Sequence, residues 1–499
     1  MASLQEAIDV SAIHTVRIYP RIGIARVGNS VSPSGWYYGP EVPGRFDEPE
    51  VGFKDHNGAV NRQAARFRVY AFDAKGTVLG ELNSQSGFDL NWAVEVTNRK
   101  PAWYTFMGGQ QPGAFEPGNT TLRNPTVQPD LPPEKRDKLT IASGVKQVRG
   151  THADPVALQG QFYGSKDVPT DVYLGEISTD GSGRLVVLAG RGHSYSITDK
   201  DQPYPWILTD FDSPDWIDDT CDGRVNVQIQ HRDSHRVFVP REAARVIGAT
   251  PKFAFGIYAP TSLYDLMEDV YEREKRTSFG EAYDVGVVGW YKHIWPLLQR
   301  PSLISWVNGQ ANRGHGPNAN GNFFDPQWQE WLSDPRKERE AIRKGVLGRI
   351  RLPTTNGKYD RARAGQAFPY FMPWLSGDNG RTTYGDPTTF SSITELQYDR
   401  LVKWSKGDFI VGRPPPPPPP HIEDLPLQMQ PNALTKASLE STIGAPLYPG
   451  IELSWNAEQS ETYNLDVPFT ISDNVRPGDL TKYLSLPWQS DFYMCRSYW

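Results

Sequence analysis

The chain has 499 residues, enough for two or three domains of about 150 residues each, and a formal net charge of −6 at pH 7. This charge disfavours nucleic acid and anionic membranes as partners, and no apolar run reaches the roughly 18 residues that a membrane span needs. Two cysteines cannot form a disulfide framework, and the N-terminus lacks a basic region followed by an apolar one, so we expect a protein that is cytoplasmic or secreted without a conventional signal peptide.

The first half of the chain is predicted to be rich in β-strands. Asp73 to Gly76 reads as the turn of a hairpin, and residues 108–168 carry only weak signals. Segments whose polarity alternates as in half-buried strands are 15–19, 66–72, 92–97, 171–177, 184–188, 225–229 and 236–239. Residues 1–250 are therefore predicted to form a β-rich N-terminal domain.

The middle of the chain is predicted to be helical. Ser262 or Thr261 can cap a helix that runs from residue 263 to about residue 275. Asp325-Pro326 and Asp334-Pro335 each pair an N-cap residue with proline at the first helical position. These signals predict a helical middle segment over 251–350.

The C-terminal part, 351–499, is predicted to be a mixed domain that bears the cofactor described below. Ser392 to Glu395 forms a capping box before a helix over 396–405, while glycines and prolines predict long irregular loops around it. The fold class is therefore α+β.

Seven consecutive prolines occupy 414–420 and are expected to form a stiff polyproline II loop. This loop is either a ligand for an aromatic-lined peptide-binding domain or an exposed spacer.

Four acids in nine residues, Asp215 to Gly223, form either a hard-cation site or a turn whose carboxylates accept backbone N–H bonds. His231 and His235 have helical metal spacing, but the residues before them alternate like a strand, and His193 and His315 read as loop histidines. We assign no metal site.

The final residues of the chain contain Cys495 and, four residues earlier, Asp491. If the segment is helical, the two side chains share a face. A carboxylate raises the pKa of a neighbouring thiol, which disfavours a thiolate nucleophile but suits removal of a proton from a thiol that adds to another group. The alternative is a small buried cysteine near a surface aspartate.

Residues 486–495 (LPWQSDFYMC) resemble the cysteine region of the LodA-like amino-acid oxidases, which include lysine ε-oxidases and glycine oxidases and carry a cysteine tryptophylquinone. Further stretches in the same order are similar to other signatures of this family. They are 62–68 (RQAARFR), 98–104 (NRKPAWY), 218–223 (DDTCDG), 372–378 (MPWLSGD) and 448–452 (YPGIE).

The resemblance implies that Cys495 is thioether-linked to an oxidised tryptophan and that Asp491 is needed to form this cofactor. The quinone carbonyl accepts the primary amine of an amino acid, and O₂ reoxidises the cofactor. The products are aldehyde or keto acid, ammonia and hydrogen peroxide. Asp491 is also a candidate base for the proton on the amine-bearing carbon. A separate flavoprotein is the implied maturation partner, and a homo-oligomer stays open.

The sequence departs from the family pattern in one respect. The quinone tryptophan of the family lies several dozen residues beyond the cysteine, whereas this sequence stops at Trp499. The sequence is then a fragment, a truncated relative without quinone, or a chain in which Trp499 or Trp488 is the partner. The alternative function is accordingly a truncated, non-catalytic relative that acts in binding or assembly.

Overall fold

A computed structural model describes residues 8–105, 113–198, 212–252, 256, 261–353, 371–373, 392–442 and 455–488. These residues fall in two compact units. The first takes in the described residues of Met1–Lys252, Pro418–Leu439 and Gly450–Tyr493, and the second those of Phe253–Pro417 and Glu440–Pro449. The predicted division at 250 and 350 stays a prediction.

The first unit is built on β-strands. Fourteen strands of the described chain form one sheet, ordered β7-β6-β14-β16-β2-β4-β11-β10-β9, with β1, β3 and β5 on β4, β15 on β14, and β8 on β6. A separate two-stranded sheet joins β12 and β13. The strands are β1 (Thr15–Tyr19), β2 (Ile22–Arg26), β3 (Trp36–Tyr38), β4 (Arg62–Phe72), β5 (Val78–Leu82), β6 (Phe88–Asn98), β7 (Ile141–Ala142), β8 (Lys146–Arg149), β9 (Val156–Tyr163), β10 (Pro169–Thr179), β11 (Leu185–Ala189), β12 (Ser194–Ser196), β13 (Trp216–Asp218), β14 (Cys221–His231), β15 (Val237–Phe238) and β16 (Ala244–Ala249).

The burial of one face of this sheet follows from the alternation of buried and more exposed side chains in β6. Phe88, Leu90, Trp92 and Val94 are buried, while the residues between them are partly or fully exposed. β14 pairs antiparallel with β6 from Asp222↔Thr97 to His231↔Phe88. The alternating side chains therefore fill one continuous core beneath the sheet, and the prediction of a β-rich N-terminal half is confirmed.

Some strands were not predicted from the sequence. β9 lies in the region of weak signals because its sequence, VALQGQFY, mixes apolar and polar residues with glycine. The predicted turn after β4 is confirmed, since Asp73 Oδ1 accepts the backbone N–H groups of Lys75 and Thr77, both at 2.8 Å.

The second unit contains most of the helices. The helices of the described chain are α1 (Leu263–Phe279), α2 (Trp295–Ile304), α3 (Gly309–His315), α4 (Pro326–Ser333), α5 (Glu340–Leu347), α6 (Glu395–Ser405) and α7 (Gln430–Glu440). Ser262 caps α1 in a capping box with Asp265, and Asp325 caps α4 before Pro326, as predicted. Trp290, Trp404 and Leu401 lie in the core of this unit.

Two predicted helix starts were wrong by a few residues. Asp334-Pro335 does not open a helix. Asp334 Oδ1 accepts the Arg336 backbone N–H at 3.0 Å and Oδ2 binds the Arg336 guanidinium (Nη2 to Oδ2 2.6 Å), and α5 begins only at Glu340. α6 is capped by Thr394 with Gln397 rather than by Ser392 with Glu395, because the Glu395 carboxylate accepts a hydrogen bond from Arg276.

The C-terminal part is mixed, as predicted. Helix α7 belongs mainly to the first unit, where Tyr70 Oη donates to Gln430 at 3.1 Å and Ser438 Oγ donates to the Ile22 carbonyl at 2.8 Å. Residues 455–488 contain short 3₁₀ turns, isolated β-bridges and irregular chain. The α+β class with long irregular loops is therefore confirmed.

Prolines 414–420 lie in irregular chain and are exposed except for the half-buried Pro419. No helix among the described residues is long and apolar enough to cross a membrane.

Candidate functional site: the anchored approach to the C-terminal segment

The two predicted site residues, Asp491 and Cys495, lie outside the described residues, which reach Trp488. The structure does show how the chain is held immediately before them. The site is therefore built here from residues 478–488, called the approach segment, and from the side chains that bind it.

A buried ion pair lies at the centre of the site. Lys100 Nζ is 2.5 Å from Asp218 Oδ2, and both side chains are 0% exposed. Lys100 opens a 3₁₀ turn after β6, whereas Asp218 ends β13, so the two strands bring together residues 118 positions apart. Asn98 Nδ2 donates to Asp218 Oδ1 at 2.9 Å and Lys100 Nζ also donates to Thr220 Oγ1, so the buried charges are hydrogen-bonded as well as paired.

The ion pair binds the backbone of the approach segment directly. Lys100 Nζ donates to the Ser485 carbonyl at 3.3 Å, and the Trp488 N–H donates to Asp218 Oδ2 at 3.2 Å. The Ser213 N–H donates to the Leu486 carbonyl at 3.1 Å. These bonds give partners to backbone groups of residues 485, 486 and 488 and so fix the described end of the approach segment.

Arg123 holds the preceding turn. Its guanidinium donates to the carbonyls of Leu484 at 2.9 Å and Lys482 at 3.3 Å, and it forms an ion pair with Asp212. The Asp222 carboxylate binds the start of the approach segment. Its oxygens accept the backbone N–H groups of Gly478 and Thr481, both at 2.9 Å. Burial raises the pKa of Asp222 to about 6, against the lowering effect of these hydrogen bonds.

The four acids of 215–223 thus diverge to separate partners. Asp215 accepts the Ser165 N–H at 2.7 Å, Asp218 pairs with Lys100, Asp219 accepts the His193 N–H at 3.0 Å, and Asp222 binds the approach segment. Each carboxylate accepts at least one backbone N–H, but the donors named are distant in sequence, and residues 216–218 and 221–223 lie in strands β13 and β14 rather than in a turn. No group of three or more His, Cys, Asp or Glu within the described ranges is arranged to hold a metal ion.

Asp219 differs from Asp218 because it has no cationic partner in the described structure. Its side chain is buried, and Oδ1 makes no hydrogen bond to any described residue. Burial raises the pKa of Asp219 to about 7, and the negative charge of Asp218 adds to the rise. A carboxyl group with this pKa is about half protonated at neutral pH.

The other sequence candidates lie elsewhere. His231 ends strand β14 and binds Ser234 Oγ through Nδ1 at 2.9 Å, so the helical spacing to His235 does not apply. His315 ends α3 and binds the Gly321 carbonyl at 2.8 Å, and burial lowers its pKa. Cys221 is buried beneath the sheet and burial raises its pKa well above the usual range, so it is not a reactive thiol.

Sequence reasoning missed the role of Lys100. The motifs at 98–104 and 218–223 were both recognised as similar to family signatures, but a signature does not state which residues meet. A buried lysine needs an anionic partner, but the burial of Lys100 is visible only in the structure, so the sequence carried no signal for this pair.

Two family models match the chain. The model described as "L-Lysine epsilon oxidase N-terminal" matches residues 19–247, and the "L-lysine epsilon oxidase C-terminal domain" matches residues 373–499. The chain is 25% identical to the L-lysine 6-oxidase of Marinomonas mediterranea over 559 aligned positions, covering 96% of this chain and 70% of the relative.

Solved structures show the same fold. The ε-lysine oxidase of Marinomonas mediterranea superposes with a TM-score of 0.72 at 23% identity, covering 96% of this chain and 75% of that one. The structure of the Schiff base intermediate of that organism's L-Lys ε-oxidase with L-Lys gives a TM-score of 0.71 at 23% identity and the same coverage.

Proposed function

Because this chain belongs to the L-lysine epsilon oxidase family, a family of amino-acid oxidases, we propose that it oxidatively deaminates a primary amine of an amino acid with O₂. One amine, one O₂ and one water give one aldehyde or keto acid, one ammonia and one hydrogen peroxide. Two electrons pass from the amine-bearing carbon to O₂. The experiment below determines which amino acid is the substrate.

The observation that carries this proposal is the anchoring of the approach segment. Residues 482–488 are bound by Lys100, Asp218 and Arg123, and they lead directly into Asp491 and Cys495 within the region matched by the C-terminal family model. A covalent redox group needs a rigid attachment so that substrate and base meet it in one geometry. The described residues fit that requirement, since a fully buried ion pair fixes the backbone at residue 488.

The proposed cofactor is a cysteine tryptophylquinone in which Cys495 supplies the thioether sulfur. Such a quinone provides an electrophilic carbonyl that accepts the amine and takes up two electrons. Asp491 has two proposed roles, in forming the cofactor and in removing the proton from the amine-bearing carbon. Lys100 and Asp218 hold the chain that carries both residues.

The proposed partners are an amino-acid substrate, O₂ and a flavoprotein that matures the cofactor. A homo-oligomer stays a further expectation. The alternative function, a truncated non-catalytic relative, is not favoured by the family matches, which lie in both halves of the chain.

The test uses the protein produced together with its maturation flavoprotein. Redox-cycling stain after denaturing electrophoresis reports a covalent quinone, and peptide mapping identifies the tryptophan bound to Cys495. Hydrogen peroxide release is then measured over a panel of amino acids and simple amines. Cys495→Ser is expected to lose both stain and peroxide release, with Cys221→Ser as the matched control that keeps both. No peroxide release from any amine of the panel by stain-positive protein would overturn the proposed activity, and peroxide release by stain-negative protein would overturn the proposed quinone.

A further inference from the structure

The loop Gly190–His193, between β11 and β12, lies against the Asp219 carboxyl group. The His193 N–H donates to Asp219 Oδ2 at 3.0 Å. A Cβ atom on Gly190 would lie 2.5 Å from both Cγ and Oδ2 of Asp219. The carboxyl group therefore rests directly on the loop backbone, and only glycine at 190 permits this approach.

The same loop also lies close to Trp488. Gly192 has φ +73°, and a Cβ atom placed on it would lie 3.9 Å from Trp488 Cζ2 and 3.6 Å from Val27 Cγ2. Two neighbouring acids are thus linked to Trp488, Asp218 directly and Asp219 through the loop. Asp218 accepts its backbone N–H, and Asp219 holds the loop that packs near its indole ring.

The state of Asp219 suits a structural role that needs no charge. Its side chain is only 2% exposed, Oδ1 has no hydrogen-bond partner among the residues described, and its raised pKa reflects burial. A protonated carboxyl group and an asparagine amide have the same shape, and both keep an oxygen that accepts the His193 N–H. Asparagine is therefore expected to replace Asp219, whereas alanine is not.

We propose that Asp219 is a positioning residue, which holds the loop Gly190–His193 near Trp488 and so fixes the point from which the chain continues to Asp491 and Cys495. The catalytic consequence rests on the proposed oxidase function, whereas the structural consequence stands without it. Loss of the Asp219 side chain frees the loop, and the Trp488 ring then loses one of its neighbours.

The experiment compares Asp219→Ala and Asp219→Asn by hydrogen-exchange mass spectrometry of peptides that cover 190–193 and 482–488. Asp73→Asn is the matched control, since Asp73 also accepts backbone N–H bonds but lies in the turn after β4. Asp219→Ala is expected to speed exchange in both peptides about tenfold, while Asp219→Asn and Asp73→Asn stay within about twofold of the parent protein. Quinone content and kcat are read from the same samples, and kcat per quinone is expected to fall about tenfold in Asp219→Ala with little change in KM.

Gly190→Ala provides a second variant with the Asp219 side chain intact. Its added methyl group displaces the carboxyl, so the same two peptides are expected to exchange faster. Unchanged exchange of 482–488 in both Asp219→Ala and Gly190→Ala would overturn the inference, as would an Asp219→Asn protein as damaged as Asp219→Ala. Exchange that changes as expected in protein without quinone would instead overturn only the proposed oxidase function.

Discussion

Lys100 and Asp218 form an ion pair in which neither side chain is exposed, and each partner also binds the backbone of residues 485–488. Two buried charges are costly to desolvate, and such a pair is a stable arrangement only while both members remain. The pair therefore makes the fold of the first unit depend on correct placement of the segment that precedes Asp491 and Cys495.

Lys100→Met is expected to destabilise the first unit by about 3 to 5 kcal/mol, because it leaves the Asp218 carboxylate buried without its cation. Denaturant unfolding followed by tryptophan fluorescence measures the change. Lys138→Met is the control, since Lys138 and Asp167 form an exposed ion pair, and its transition is expected to coincide with that of the parent protein. Equal midpoints for all three proteins would show that the pair does not hold the unit together.

The pKa of Asp219 predicts a stability difference that depends on pH. The folded-state pKa of about 7 lies above the unfolded value of about 3.9, so the folded state binds more protons between these pH values. The stability that the Asp219 carboxyl group contributes is full below about pH 4 and is lost as the pH rises through about 7. Asp219→Asn does not titrate, so its stability relative to the parent protein is expected to increase over that window by up to about 4 kcal/mol.

Thermal unfolding of both proteins from pH 4 to pH 8 checks this prediction. The titratable groups that face or neighbour Asp219 are the same in both proteins, namely Asp218, Arg191, His193, Tyr195 and Cys221. Asp73→Asn serves as the control of opposite sign, because hydrogen bonds lower the pKa of Asp73 and its difference from the parent is complete above about pH 4. A flat difference for Asp219→Asn would mean that Asp219 is ionised throughout.

Gly223 in β14 is expected to tolerate no side chain. A Cβ atom there would lie 1.8 Å from the Glu95 carbonyl oxygen of the paired strand β6, so Gly223→Ala must push the two strands apart. Gly345→Ala is the matched control, because its Cβ would meet nothing within 4 Å in helix α5, and alanine is expected to add about 0.5 to 1 kcal/mol there. Yield of folded protein and thermal midpoint distinguish the two, and equal behaviour would contradict the close strand packing.

The parts of the fold that local pattern determines were predictable from sequence. Alternation in β6, the Asp73 turn and the Ser262 capping box each depend on residues within a few positions of one another. The contacts that build the site are not local, since Lys100 and Asp218 are 118 positions apart and Lys100 and Ser485 are 385 positions apart. No periodic pattern of residues indicates such distant pairs, so the sequence identified the motifs but not the contacts between them.

The capping errors have a similar origin. Ser392 and Glu395 satisfy the local capping rule, yet Glu395 accepts a hydrogen bond from Arg276, which lies 119 positions away. A tertiary ion pair thus displaced a local cap by two residues, to Thr394. Asp491 and Cys495 remain predictions of the sequence and of the family resemblance.

The central claim is that Cys495 is bonded to an oxidised tryptophan and that this group oxidises amines. Peptide mapping by mass spectrometry, on protein matured with its flavoprotein and active in peroxide release, tests the claim most directly. We predict that the peptide bearing Cys495 is cross-linked to a tryptophan-bearing peptide through a thioether, and that Asp491→Asn abolishes the cross-link. A free Cys495 thiol in protein that releases hydrogen peroxide from an amino acid would contradict the account.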